Sequence, residues 1–329
     1  YTGPIAGNGF NTLQGWNIAA GLRFFKWFDE NETKWFRAGF DATYGIADDR
    51  LRFTGRITRK FNMKNNLRFD LTGGSKVQQF NTEEAISPFI NGISTLFFER
   101  NYLKAYELNF ARLKYSQEVV NGLEVRATIG YEQRKPLFNE SDYVFIAAKG
   151  VRYTSNNPLD PNDYLTAAID THDIYKSEVV VRLSFGQKYF SRPDMKFNVG
   201  NDRYPRLTLI AENGLGASNS NYNYPQLRGR LDQEVSLGNK GQFYYNLKGG
   251  AFFNADAISF ADYQHFNGNE TRLGNASNYT NVFNLLPYYK PSTNKSYLEG
   301  HIEHDFRGWI LGKIPGINTL NFNLIAGAH

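Results

Sequence analysis

The feature that most restricts this sequence is an alternation of side-chain character at every second residue, sustained over stretches of about ten residues and repeated along the chain. In the first stretch Trp16, Ile18, Ala20, Leu22 and Phe24 share one face, and Asn17, Ala19, Gly21 and Arg23 share the other. Phe36, Ala38, Phe40, Ala42, Tyr44 and Ile46 then oppose Arg37, Gly39, Asp41 and Thr43. A third stretch sets Leu51, Phe53 and Ile57 against Arg50, Arg52, Thr54, Arg56 and Thr58. Side chains separated by two residues fall on one face of a strand, so each stretch predicts a strand with a greasy side and a polar side. Arginines facing a half-buried sheet are costly unless their face is wet or paired, and a solvated lumen supplies that.

Further stretches begin near Leu67, Leu103, Leu123, Val179, Leu207, Leu227, Phe243, Leu298 and Leu320, about twelve in all. Soluble strands average about 5–6 residues, whereas a tilted strand needs about 9–11 to cross a bilayer, so the length favours membrane crossing. The composition agrees, since 27 Phe and 21 Tyr among 329 residues make a strand-former's alphabet. A mean hydropathy of −0.51 and the lack of any apolar run near 18 residues exclude a helical membrane protein. A barrel escapes that exclusion, because its lipid-facing and lumen-facing residues average out.

The expected connections alternate between short and long. Asp29–Glu32, Asn62–Asn66, Asn121-Gly122 and Gly238–Gly241 are tight, turn-rich joins. Long segments lie at about 78–101, 133–172, 214–225 and 254–296, and Ala47-Asp48-Asp49 is a tight turn where the pattern asks for a loop. Short turns on one rim and long loops on the other are the asymmetry of outer-membrane barrels. One helix is expected after Ser87-Pro88, with Ile86, Phe89, Ile90, Ile93, Leu96 and Phe97 at helical spacing. It packs on a barrel mouth, or else lies on a membrane surface or binds a partner. Aromatic clusters at Phe24–Phe28, Trp35-Phe36, Tyr288-Tyr289 and Trp309 suit interfacial girdles, or simply strands rich in aromatics.

Chemistry is constrained by absences. With no cysteine there is no disulfide, thiolate metal site or thiol nucleophile. The 37 basic against 32 acidic residues give +5, spread along the chain without a basic arm, so nucleic-acid binding gains no support. His301 and His304, three apart on a strand, point to opposite faces and cannot grip one metal. Glu299, His301, Glu303 and Asp305 share a face that reads as an acidic lumen stripe paired with arginines rather than as catalytic carboxylates. Arg50, Arg52, Arg56 and Lys60 form a basic stripe, and Arg228, Arg230, Asp232 and Glu234 a mixed one. The lumen-lining candidates are therefore Arg50, Arg52, Arg56, Arg228, Arg230, Glu299 and Glu303, acting as cross-strand ion-pair ladders or as a bias toward anions in a pore. No catalytic residue, metal or cofactor is expected.

Several strings bring a family into view: Phe10–Trp16, Phe97–Tyr102, Gly186–Tyr189, Phe283–Tyr289, and His304–Gly308 running into Lys313-Ile314-Pro315. The chain resembles the outer-membrane barrel region of a large family of uncharacterised bacterial proteins with an N-terminal carboxypeptidase-regulatory-like domain. That family is similar to the surface-antigen superfamily of barrel-assembly and two-partner-secretion translocons. The resemblance implies a sixteen-stranded barrel, of which residues 1–329 supply one domain incomplete at both ends. The start at Tyr1, with no signal-like segment, fits a piece of a longer precursor whose export signal lies upstream. It also implies a long loop tucked into the lumen and tipped by Arg-Gly-aromatic, whereas the loop at about 254–296 holds Arg272-Leu273-Gly274. The expected fold is thus an all-β antiparallel transmembrane barrel with one short helix, in a Gram-negative outer membrane, touching lipid and other envelope proteins. Its expected role is non-enzymatic assembly or translocation. A pore or nutrient-transporter barrel is the alternative, and a soluble carbohydrate-binding or hydrolytic β-protein a more distant one.

Overall fold

The structure, a computed structural model, describes residues 9–83, 86–147, 150, 152–200, 203–271 and 279–329. The alternating stretches become strands β1 (Gly9–Asn11), β2 (Gly15–Trp27), β3 (Trp35–Gly45), β4 (Arg50–Lys60) and β5 (Arg68–Gln79). After helix α1 (Pro88–Phe98) come β6 (Ala105–Val120), β7 (Leu123–Lys135) and β8 (His172–Ser184). A separate small hairpin, β9 (Tyr189–Ser191) and β10 (Lys196–Asn198), precedes β11 (Arg206–Gly216), β12 (Tyr224–Ser236) and β13 (Gln242–Phe252). The series ends with β14 (Tyr297–Asp305) and β15 (Ile325–Ala328).

Apart from that hairpin, thirteen strands pair with their chain neighbours in one antiparallel sheet, β1 and β15 lying at its two edges. The sheet is open, since those edge strands do not pair with each other. Turns at 28–34, 61–67, 121–122 and 237–241 share one rim, and connections 80–104, 136–171, 217–223 and 253–296 share the other, as the alternation predicts. The tight turn at 46–49 does sit on the long-loop rim.

The two faces are inverted relative to a soluble protein. Leu22, Leu51, Leu71, Ile129 and Leu227 stand 50–62% exposed on the outer face, while Arg52, Glu132, Arg134 and Asp232 are at most 3% exposed on the inner one. The apolar core sits at the long-loop rim, where three connections fold back inside the sheet. Phe80, just past β5, and Tyr106 and Leu108 of β6 pack there with Ile169, Phe260 and Tyr289 from two further connections. Ile174, Tyr224 and Phe252 pack with Ala255 and Ile258. Each fully buried side chain of this size contributes roughly 1.5–3 kcal/mol toward offsetting the ordering entropy of the loops.

Three elements depart from expectation for physical reasons. β8 starts at His172 rather than near Val179, because loop residues cover inward-facing Ile174 and the usual apolar-out pattern is reversed there. Around Leu320 there is no strand: Gly316 (φ 86°) and Asn321 (φ 51°) are left-handed, short 3₁₀ turns occupy Leu311–Lys313 and Asn318–Leu320, and pairing resumes only at Ile325. Helix α1 begins at Pro88 as expected, but Ser87 makes no side-chain capping bond and the buried face is Asn91, Gly92, Thr95 and Leu96. Asn91 Oδ1 accepts from Tyr102 N (3.0 Å) and Leu103 N (2.9 Å), so a buried amide positions the helix while Phe89 and Phe98 stay exposed.

A further unexpected element is the connection 185–205 on the short-turn rim. It carries the β9–β10 hairpin back beneath β4–β7, where Met195 bridges Met63 and Lys196 Nζ lies 2.5 Å from Glu118 Oε1. Asn31 Nδ2 in the β2–β3 turn donates to Asp194 Oδ2 at 3.0 Å.

Candidate functional site

Inward-facing charges from four successive strands of the sheet, β7, β8, β11 and β12, meet where the loop 253–296 enters it. A short 3₁₀ turn, Phe260–Asp262, begins after Ser259 and sends Phe260 and Ala261 into the apolar core. Its third residue, Asp262, points at the wall. Arg134 of β7 donates from Nη1 to Asp262 Oδ2 (2.5 Å) and from Nη2 to Oδ1 (2.9 Å), a bidentate pair whose side chains are 2% and 0% exposed. Lys176 Nζ of β8 lies 2.6 Å from Glu212 Oε1 and 3.1 Å from Asp262 Oδ1. The Tyr224 hydroxyl is 2.9 Å from Asp262 Oδ1 and 2.8 Å from Glu212 Oε1.

The network extends on both sides without losing balance. Glu132 takes Arg134 at 2.7 Å and Arg112 at 2.5 Å, while Arg228 Nη2 reaches Glu212 at 2.6 Å and Glu178 at 3.0 Å. Arg112, Arg134, Lys176 and Arg228 thus face Glu132, Glu178, Glu212 and Asp262, charge for charge. Burial alone would raise the Asp262 carboxyl, but Arg134 and then Lys176 outweigh it and hold the group well below the ordinary carboxylate range. The arrangement is a latch: it binds the loop to the wall through a pair that is costly to break.

The loops carry two more perturbed groups. Lys104, just ahead of β6, donates to Thr154 Oγ1 and Ser155 O, both at 2.6 Å, and joins connection 80–104 to 136–171. Its burial pulls the ammonium down to about 7, with Glu270 opposing. His265, packed edge-on against Phe260 and 2.7 Å from Ser292 Oγ through Nδ1, is lowered by burial to about 4 and stays neutral near pH 7.

Beside the latch the same inner wall is open. A chamber of about 760 Å³ is lined by Arg23, Arg37, Arg56, Arg68, Lys76, Arg112 and Lys114 against Asp41 and Asp70. A continuation of about 390 Å³ shares Arg68 and Lys114 and adds Lys60, Arg126 and Arg182 against Glu118 and Glu124, with Gln187 and Asn198 of the hairpin connection closing its lower side. Leaving out Arg112, which Glu132 holds, nine cations thus meet four carboxylates in a chain whose whole excess is +5. The positive charge that looks dispersed along the sequence is gathered in space by strand register.

The sequence-selected residues separate accordingly. Arg56 lines the chamber. Arg50 and Arg52 instead meet Glu107 at 2.8 and 3.1 Å near the long-loop rim, and Arg52 also holds Asp48 at 2.7 Å. There β5 has turned away from β4 at Gly74, whose φ is 136° and whose added Cβ would lie 2.0 Å from Phe53 O. Arg228 belongs to the latch, and Arg230 lies 3.1 Å from Asp232, which Arg206 also holds. Glu299 pairs with Lys248 at 2.7 Å, while Glu303 is half-buried opposite Tyr244 and Gly327. His301 and His304 are indeed separated: His301 Nδ1 meets His329 Nδ1 at 2.8 Å, and His304 stacks on Phe306.

Asp262, Arg134 and Lys176 were not singled out from sequence. The expected loop-tip motif carries an arginine, and here a carboxylate on the loop meets cations on the wall. Arg272-Leu273-Gly274 lies outside the described residues. Only the Ser259-Phe260-Ala261-Asp262 string, a capping residue before a turn, hints at an ordered loop tip.

Comparison with known proteins adds a family. No curated protein matches the chain. Among solved structures it is similar to BamA from Haemophilus ducreyi lacking POTRA domains 1–3, with a TM-score of 0.43 and 11% identity over 91% of this chain. That match spans 52% of the BamA chain, about half its length. Residues 1–329 match throughout the C-terminal domain of a family of unknown function, DUF5686, and the chain belongs to that family.

Proposed function

We infer that the chain forms the membrane-spanning part of a non-enzymatic outer-membrane β-barrel protein, related to the assembly and translocation superfamily and working on, or beside, other envelope proteins. The observation that carries the reading is the inversion of the sheet: large apolar residues stand exposed on the outer face while arginines and carboxylates are buried within. Water would penalise that outer face, and a bilayer's hydrocarbon matches it.

Supporting detail sits at both rims. On the short-turn rim Phe24–Phe36, Phe61–Phe69 and Phe69–Tyr115 form ring contacts at 5.4–6.2 Å, and outward-facing Arg59 lies 3.6 Å over Phe28. An amphipathic girdle with a snorkelling arginine suits headgroup depth. On the other rim Phe145 packs between Trp16 and Phe97, and Phe89 and Phe98 of α1 stand exposed. Unpaired backbone along β2 and β14 is incompatible with lipid, so closure follows, by β2–β14 pairing or by further strands.

The test is migration of the complete protein, folded in detergent, on a gel with and without boiling, beside its partition among membrane fractions. A boiling-dependent shift with outer-membrane partition is expected. An unshifted, freely soluble protein sinks the reading. The basic chamber favours one second reading, an anion-preferring pore, for which steady single-channel conductance of the complete protein is the requirement.

A further inference from the structure

We propose that the chamber walled by β2–β7 is a binding site for a multiply phosphorylated small molecule or headgroup. Strand register sets the site's geometry. Across one row, Arg23 faces Gly39, Gly39 faces Arg56, Arg56 faces Thr72, and Thr72 faces Arg112. Three arginines therefore project from alternate strands, their backbones about 10 Å apart, with a glycine or threonine between them. Gly39 leaves the room that Arg23 uses, since an added Cβ would sit 3.3 Å from the Arg23 Cδ.

The cations differ in whether they are already satisfied. Arg23, Arg68 and Arg112 have carboxylates at 2.7, 2.9 and 2.5 Å. Arg37 lies over the Phe25 and Trp35 rings. Arg56 and Lys114 have no ion-pair partner among the described residues, although both face the chamber. Like charges enclosed together repel, and the repulsion falls when a counter-anion enters. Arginine rather than lysine predominates, and its planar fork suits two oxygens of one phosphoryl group.

The remaining lining fits such a guest. Thr54, Thr72 and Thr128 offer hydroxyl donors, Thr58 already donates to Asp70 at 2.7 Å, and Trp35 and Phe110 offer ring faces. The volume of about 760 Å³ lies within the range of small-molecule sites. A multiply phosphorylated guest brings several negative charges into one small volume, which single carboxylates cannot match. The site depends on the inner wall alone and not on what the barrel assembles or transports.

The experiment uses the complete protein folded in detergent, titrated calorimetrically with myo-inositol hexakisphosphate at two salt concentrations. Native mass spectrometry of co-purified lipid runs beside it. The proposal expects saturable, salt-weakened binding that Arg56→Gln with Lys114→Gln reduces at least about tenfold, while Arg206→Gln, outside the chamber and paired with Asp232, leaves it unchanged. Both variants should keep the boiling-dependent gel shift, which separates loss of the site from failure of the barrel. A phosphorylated glycolipid retained by the parent and lost from the double variant identifies a headgroup as the source. Inositol hexakisphosphate binding without retained lipid identifies a free anion. No binding at low salt, or equal loss in the double variant and Arg206→Gln, overturns the proposal.

Discussion

The two halves of the inner wall are built from the same residue types and end in opposite states. Along β7–β12 a loop fills the space, and Arg134, Lys176 and Arg228, with Arg112 reaching over from β6, meet four carboxylates in a network whose Arg134–Asp262 centre is dry. Along β2–β6 no loop residue lines the chamber among the described residues, cations outnumber carboxylates, and Arg56 faces open volume. An alternating strand specifies only that a charge faces inward. Whether that charge becomes a structural pair or a free binding group depends on whether another segment arrives to cover it.

The largest effect expected from breaking this contrast is at the latch. Arg134→Met should cost about 3–5 kcal/mol of loop docking, because it leaves Asp262 and Glu132 in a buried site with too few cations. Limited proteolysis within 253–296 reads the loss, and adding Asp262→Leu should recover most of it by removing the stranded charge. Unchanged protection in Arg134→Met would mean that the loop is held by its apolar core alone.

Next in size is the outer face of the chamber half. Arg in place of Ala20 or Phe40 should cost about 2–4 kcal/mol if the position lies near the bilayer midplane, whereas Arg in place of inward Thr43 should be mild. Equal folding yields in lipid vesicles for all three would contradict a lipid-facing outer side.

Acidification should loosen the cap that the long connections 80–104, 136–171 and 253–296 form over the rim. Lys104 titrates near 7 in the fold and near 10.5 when released, so the cap is stabilised as pH rises through that window and weakened as it falls. His265, lowered to about 4 by burial, weakens the cap further as pH falls from 6.5 toward 4, since only the released chain gains the proton. Cleavage of the loops should be more than about tenfold faster at pH 5 than at pH 9, since the Lys104 shift alone corresponds to roughly a hundredfold change in the opening equilibrium. Lys104→Met should flatten the upper part of that profile, and a profile unaltered by it would remove Lys104 from the account.

The smallest effect sharpens the comparison from the other side. Arg23–Asp41 has the same charges as Arg134–Asp262 at 2.7 Å, but its side chains are 45% and 44% exposed. A double-mutant cycle on Arg23 and Asp41 should return about 0.2–1 kcal/mol, falling with salt. A coupling as large as that of the latch would show the chamber to be far drier than its geometry implies.

Much of this architecture can be read from sequence. Period-two alternation located eleven long strands to within a few residues, except at β8, because the face a residue chooses is a local property of strand geometry. The length of each connection placed the two rims. Reading fails where tertiary cover reverses the pattern, as at Ile174, and where a buried amide replaces an apolar stripe, as at Asn91. It also misses the β9–β10 hairpin, whose strands are too short for any period to register.

By itself, then, the sequence determined the strands, their two faces and the order of short and long connections, all consequences of backbone geometry and residue character within about ten neighbours. Only the tertiary structure decided which inward charges are buried and which are free. Asp262 reaches Arg134 across 128 residues of chain. Coulomb energies depend on distance and solvent exclusion in three dimensions, and spacing along the chain records neither.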